Sequence, residues 1–524
     1  MTRFPCICLL LLAACIALSG CGHRTSIASL TTVAEQSDFT RTARYDDVVA
    51  FLTTLDDDPR VTLTSIGTTH EGRDIPMAIL ADPPVTTPDD ITGDRLHVLL
   101  FGNIHAGEVC GKEALCMLAR DILTSDAHSN LFDDLVISVI PIYNADGNER
   151  FNPDNRGRQV GPEAMGIREN AQGYDLNRDY IKLDAPETRA LVRTLTTWDP
   201  KVIVDTHTTN GSHHRYLLTY QGPKHPAGDT DVLTYVRDTM LPAIDASFEA
   251  RTGNDMFFYG NFADQHTKWT TYPAEPRYGV AYRGMRNRLS ILSEAYSYAP
   301  YKDRVQGTYD FCLEILRYAA AHRDDIAALT IAADERTLNS RDPVHLRTEV
   351  VPFATPVRVL GYNEYDEAGE RIPPTTERDY DVAFINDFVP IESVTRPWAY
   401  AIPAEMVDIV SHLERHGIVA APLDGTITVI AEEVTVDAIH RGRQYEGHAL
   451  TSVDVSDPRL IRRVLQPGTV IVPTAQPLGT LAAYMLEPRA SDGLVTWNFL
   501  DPHMTVGLPY PVLRIPHSEN DWND

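Results

Sequence analysis

His105 and Glu108 stand at the end of the apolar run FGNIHAGEVC, separated only by the small residues Ala106 and Gly107, so both side chains can reach one ion from a single turn. A second histidine, His207, ends the run KVIVDTH, and a glutamate, Glu294, ends RLSILSE. Two imidazoles and one carboxylate are a common ligand set for a catalytic zinc, which keeps a fourth position for water. The set carries one negative charge, so a bound zinc keeps net positive charge, polarises a carbonyl and draws the pKa of its water towards about 7. A separate carboxylate must then take and return the proton, and Glu294 is the candidate. Alone, His105 and Glu108 are also what a strand shows on meeting solvent; the argument for a site is that reactive residues recur at other run ends.

The elements that must position these groups are visible as patterns. RLHVLLFGNIH, LVISVIPIYN, KVIVDTH and RLSILSE are short continuous apolar runs of the kind found in strands covered on both faces. GKEALCMLARDIL, APETRALVRTLTTW and RVQGTYDFCLEILRYAAAH have helical spacing between or after them, as does the earlier YDDVVAFLTTL. This predicts an α/β sheet with mainly parallel central strands, whose reactive groups gather beyond the strands' carboxyl ends. All four runs end in such groups: His105 with Glu108, Asn144-Ala145-Asp146-Gly147, Asp205-Thr206-His207, and Glu294. Beyond about residue 340 the pattern changes to short β-like runs broken by Pro and Gly, such as LRTEVVPFATPVRVLGY and TITVIAEEVTV, which predicts a β-rich C-terminal domain over 340–524.

Length and charge set the outer limits. At 524 residues the chain is long enough for two domains. Its 73 acidic against 46 basic residues, a formal charge of −27, argue against nucleic acid or an anionic membrane surface as the main partner. The leader MTRFPCICLLLLAACIALSGCGHR has an early Arg3, an uncharged apolar run and a small-residue exit, which reads as a secretory signal over 1–21. Leu18-Ser19-Gly20-Cys21 resembles the lipobox of bacterial lipoproteins, with Cys21 as the lipidated residue; Leu12-Ala13-Ala14-Cys15 is a rival, disfavoured because apolar IALSG would follow the cut. Residues 22–38 are polar and read as a tether, and 39–335 as the catalytic domain. Only Cys110, Cys116 and Cys312 lie beyond the leader, which supports no disulfide framework, and the absence of CxxC gives no thiolate zinc site.

HAGE, NADG, GYDLNRDY, DTH and LSILSEAY occur in an order that resembles the zinc carboxypeptidases, the M14 metallopeptidases of carboxypeptidase A/B type, and GTTHEGRDIPMAIL is similar to the family's entry strand. The resemblance spans about residues 40–330. It implies a mixed eight-stranded sheet flanked by helices, one zinc per chain on His105, Glu108 and His207, and Glu294 as general base and acid. It places Asn177 and Arg178 on the terminal carboxylate of a peptide substrate, where the planar fork of an arginine suits bidentate binding. It makes Asp175 the carboxylate that orients the first zinc histidine. For the arginine facing the scissile carbonyl the segment offers Arg156, Arg158 and Arg168, of which Arg168 is favoured as nearest to the Asn-Arg pair; for the family's mobile tyrosine, Tyr272, Tyr278 and Tyr282 qualify and Tyr282 is preferred.

The chain also departs from the digestive members, with HTTNGSHHRY after the third ligand; His213 and His214 read as substrate-side or surface groups. The expected activity is peptide hydrolysis in the cell envelope by a lipid-anchored metallocarboxypeptidase, at the outer membrane. Two alternatives are a zinc deacylase of the succinylglutamate desuccinylase or aspartoacylase kind, and a non-catalytic peptide-binding lipoprotein.

Overall fold

The computed structural model describes residues 26–366 and 369–517; the leader and Cys21 lie outside the described residues. Eight strands form one sheet: β1 (Val61–Thr68), β2 (Asp74–Leu80), β3 (Leu96–Gly102), β4 (Leu135–Ile140), β5 (Val202–Thr209), β6 (Leu218–Gln221), β7 (Met256–Phe258) and β8 (Leu289–Tyr296). Their spatial order is β1-β2-β4-β3-β5-β8-β6-β7. The central β4, β3, β5 and β8 run parallel, while β1–β2, β2–β4 and β8–β6 are antiparallel, so the sheet is mixed as expected.

The continuous apolar runs are explained by burial on both faces. Every residue of β3 is buried. Val98 and Leu100 point into one core, Leu99 and Phe101 into the other. Truncating one of these, as in Leu99→Ala, costs about 2–5 kcal/mol through lost burial and the cavity left behind. On the first face lie α1 (Tyr45–Leu55), α2 (Cys110–Thr124) and α4 (Tyr301–Ala321), contributing Phe51, Leu115 and Ile315 among others. On the second lies α3 (Pro186–Trp198), contributing Leu191 and Leu195. Pro186 at its first turn lacks an N–H that would have no helical partner there, and Asp199 in the left-handed conformation (φ 43°) ends the helix. Cys110, Cys116 and Cys312 are buried and free.

Two boundaries differ from expectation. The segment 22–38, expected as a tether, is folded from Ile27 onward: Thr32 and Glu35 cap the short helix Val33–Gln36 reciprocally. Ala34 is fully buried, and the backbone N–H groups of Ala34 and Ala43 donate to Glu113 of α2. The T-x-x-E pattern is a capping signal hidden in a polar stretch. The C-terminal region is β-rich, but it is not a detached appendage. Its helices Val407–Arg415 and Gly479–Leu486 lay Ile409, Leu413, Leu481 and Met485 into the same core as Leu99 and α3, and its long strand Arg371–Val394 pairs with Lys268–Thr270. One helix does not cover the second face of the sheet; the C-terminal region completes that cover.

Candidate metal centre and substrate cleft

The site lies at the carboxyl ends of β3, β5 and β8. After Gly102, Asn103 takes a left-handed conformation (φ 65°) and turns the chain; the Glu108 N–H then donates to the His105 carbonyl at 2.9 Å, folding both side chains to one side. The helix α2 follows at once, and Gly111 lets it close on β5, since a Cβ there would stand 2.0 Å from Thr206 Oγ1. In the β5–β8 ladder His207 is the direct partner of Glu294, which places the two side by side.

His105 Nδ1 lies 3.1 Å from Glu108 Oε1 and 3.2 Å from His207 Nδ1, and His207 Nδ1 lies 3.1 Å from Glu108 Oε2. Three atoms with lone pairs at such separations need a proton or a cation between them. Ligands about 2.0–2.1 Å from a tetrahedral zinc stand about 3.3–3.4 Å apart, so the donor set fits that ion. Among the described residues this is the group of His, Cys, Asp and Glu able to hold a metal, and all three are buried.

The outward nitrogens are held by carboxylates. His105 Nε2 is 3.1 Å from Asp175 Oδ1 and His207 Nε2 is 3.1 Å from Asp205 Oδ1, which presents both Nδ1 atoms to the centre. Burial disfavours the charged form of His207, but Asp205 and Glu108 together carry its pKa well above the ordinary imidazole value. Burial likewise works against the Glu108 anion, and His105 and Arg156 outweigh it, holding the carboxyl well below its usual range. Glu294 behaves in the opposite way: burial, against the pull of His207 and with the push of Glu108, raises it to about 8 in the metal-free protein.

The cleft over this centre, ≈ 350 Å³, is lined by His105, Glu108, Glu294, Arg156, Arg168, Asn177, Arg178, Tyr259, Tyr272, Tyr278 and Leu292, together with Thr208, Thr209 and Asn210. Asn177 and Arg178 therefore lie in the same cleft as His105 and Glu108. The Asn177 side-chain oxygen accepts from the Gly279 N–H at 2.9 Å, and the Arg178 guanidinium lies 4.2 Å over the Tyr278 ring. Arg168 also faces the cleft, with Nε and Nη2 on Asp175 at 2.9 and 2.7 Å. Arg156 faces the cleft beside the favoured Arg168, and its Nη2 donates to Glu108 Oε1 at 2.9 Å; Arg158 is exposed and does not line the cleft.

Tyr282, the tyrosine expected at the site, does not line the cleft. It is fully buried, its hydroxyl is bonded to His416 Nδ1 at 2.7 Å and its ring lies against Tyr180, in the core beneath the site. The reason is depth: Tyr282 lies inside the short helix Gly279–Gly284, all of whose residues are buried, whereas Tyr278 is its extended N-cap. Tyr272, Tyr278 and Tyr259 are the cleft tyrosines. His213 is half-buried and bonds Glu364 at 2.6 Å, while His214 is buried among Tyr216, Trp269 and Tyr296; neither joins the ligand group. Asp205 was missed as the partner of His207, although an acidic residue two positions before a strand-end histidine shares its face and was a readable signal.

A buried His-Glu-His centre at the strand ends of a mixed eight-stranded sheet, with a carboxylate beside it and an Asn-Arg pair in the same cleft, defines a metallocarboxypeptidase, a hydrolase. Residues 48–276 match the model of the zinc carboxypeptidase family, Peptidase_M14. It is 23% identical over 475 residues to "Carboxypeptidase 2" of Trichophyton rubrum, covering 85% of this chain and 81% of that protein. It is 31% identical over 155 residues to "Carboxypeptidase D" of Mus musculus, covering 25% of this chain and 11% of that one. Among solved structures it is similar to a metallo-carboxypeptidase from Burkholderia cenocepacia, with TM-score 0.40, 17% identity, and 53% and 69% of the two chains covered. It is also similar to carboxypeptidase A from Helicoverpa armigera, with TM-score 0.40, 16% identity, and 53% and 74% covered.

Proposed function

We propose that this protein removes the C-terminal residue of peptides, with one zinc on His105, Glu108 and His207. The observation that carries the proposal is that these three donors converge on one point, two of them, His105 and Glu108, lining the cleft that also holds Glu294, Asn177 and Arg178. Zinc held there would supply a Lewis acid for the scissile carbonyl and acidify the attacking water. Asp175 and Asp205 keep the two histidines in the tautomer that presents Nδ1. Asn177 and Arg178 hold the substrate's terminal carboxylate, Arg178 through its planar fork. Glu294 takes a proton from the attacking water and returns it to the leaving amine. Arg156 and Arg168 face the developing negative charge from one wall of the cleft.

The leader adds a location to this reading: export, lipidation at Cys21 and action in the cell envelope. The activity is tested by incubating the purified protein with a peptide library, with and without chelator, and reading products by mass spectrometry. Loss of single C-terminal residues, blocked by chelator and by C-terminal amidation, is the expected result. Cleavage of N-acyl amino acids without cleavage of peptides would replace the proposal with a deacylase.

A further inference from the structure

We propose that the hairpin Val436–Tyr445/His448–Val455 of the C-terminal region is a working part of the cleft, and that Glu446 at its tip is a positioning residue for the segment Asp175–Arg178. The inference rests on the reading of that segment as the carboxylate-binding side of the site.

Tyr445 pairs with His448, leaving Glu446 and Gly447 as a two-residue turn. Both have positive φ, 49° and 82°. Such a turn favours Asn-Gly or Asp-Gly, whose short polar side chain can bond locally; the longer glutamate lacks that compensation and is strained in the left-handed region. The side chain shows what compensates the strain: Glu446 Oε2 accepts the backbone N–H of Asp175 at 2.9 Å, across 271 residues of chain. Gly447 lies against the Tyr174 ring, where an added Cβ would stand 3.2 Å from Cε1. His448 Nε2 reaches Asp184 at 2.7 Å. The tip thus grips residues 174–184 at three points.

The gripped segment organises much of the site. The Asp175 carboxylate stands against His105, takes two bonds from Arg168, and accepts the Asn177 N–H at 2.9 Å. A shift of the Asp175 backbone therefore moves a metal ligand's partner, a cleft arginine and the Asn-Arg pair together. The C-terminal region holds the facing segment too: Arg277, next to Tyr278, pairs with Asp492 at 2.9 Å and lies 5.0 Å over the Trp497 ring. Both walls that meet at Arg178 are braced from residues beyond 435.

The test uses the full-length protein and two variants. Glu446→Gly removes the acceptor and also relieves the left-handed strain, so folding is preserved; Glu446→Gln keeps an oxygen that can accept the same N–H. For Glu446→Gly the expected result is zinc binding weakened about 3- to 10-fold by chelator competition, since partners of metal-ligating histidines are worth about 10- to 100-fold and this bond acts one step behind them. KM for a short peptide rises by a similar factor, kcat changes less, Tm is unchanged or higher, and Glu446→Gln stays within about twofold of wild type. Amide exchange of residues 174–179 in the metal-free protein is faster in Glu446→Gly. Wild-type exchange, zinc affinity and KM in Glu446→Gly would overturn the inference, and so would a Gln variant as impaired as the Gly variant. If the wild type cleaves no peptide, the functional reading fails, and the exchange measurement still decides the role of Glu446.

Discussion

His207 and Asp205 sit two residues apart on β5 and meet on one face of the strand, with His207 Nε2 3.1 Å from Asp205 Oδ1. The other carboxylate oxygen of Asp205 is 3.3 Å from the buried Arg283 guanidinium, which in turn bonds Ser290 and Tyr180. The orientation of His207, whose Nδ1 faces His105 and Glu108, is therefore set by a chain of buried polar contacts that ends in the core. Asp205→Asn preserves shape but weakens this anchor, and zinc affinity is expected to fall about 10- to 100-fold. Competition with a coloured chelator measures it; an unchanged affinity would mean that Asp205 does not orient the ring.

Removing the ligand itself has a larger effect. His207→Ala should lose most bound zinc in the folded protein while its circular dichroism stays native. Stoichiometric zinc in that variant, read by elemental analysis, would remove His207 from the ligand set.

Glu294→Gln separates proton transfer from binding. It keeps the side chain's shape beside His207 and leaves the three donors in place. Turnover should fall by at least about 10²- to 10⁴-fold, the usual worth of general acid–base catalysis, with zinc content and peptide binding intact. Near-normal turnover would rule out Glu294 as the base.

Arg178→Lys tests recognition of the terminal carboxylate. Lys keeps the charge but loses the fork and the stacking on Tyr278, so KM should rise about tenfold or more with a smaller change in kcat. Equal KM values for free-acid and amidated peptides in the wild type would show that Arg178 reads something else.

The His448–Asp184 pair makes the grip of the hairpin depend on pH. The hydrogen bond to Asp184 raises the His448 pKa, so its contribution to stability is complete below the unfolded value of about 6.5 and is lost as pH rises through the raised folded value. Burial opposes the Asp184 anion, but His448 and Lys182 hold its pKa down; that contribution is present above about 3.9 and lost as pH falls through the lowered folded value. The Tm difference between wild type and His448→Gln should therefore be widest near about pH 5–6 and shrink towards pH 9. A difference independent of pH would contradict the pairing.

Much of the site was legible in the sequence because its chemistry sits at the ends of continuous apolar runs. Runs buried on both faces announce strands, and a strand that stops in His or Glu places that group at a sheet end without reference to anything distant. His105, Glu108, His207 and Glu294 follow from that rule alone. The DLNRDY stretch was legible by resemblance, and the structure brings Asn177 and Arg178 into the same cleft.

Tertiary structure alone decided which arginines meet Glu108, which tyrosines face the cleft and what the C-terminal region does. Arg156, Arg158 and Arg168 lie in an irregular segment with no period of two or 3.6 to tell which way a side chain points, so the path of the loop brings Arg156 and Arg168 to Glu108 and leaves Arg158 exposed. Tyr278 is the extended N-cap of the short helix Gly279–Gly284 and stays in the cleft, while Tyr282, one turn further along inside the helix, is buried against Tyr180. Glu446 reaches Asp175 across 271 residues, and such a contact leaves no local trace, because composition and periodicity report how a segment is buried and carry no information on which distant segment buries it.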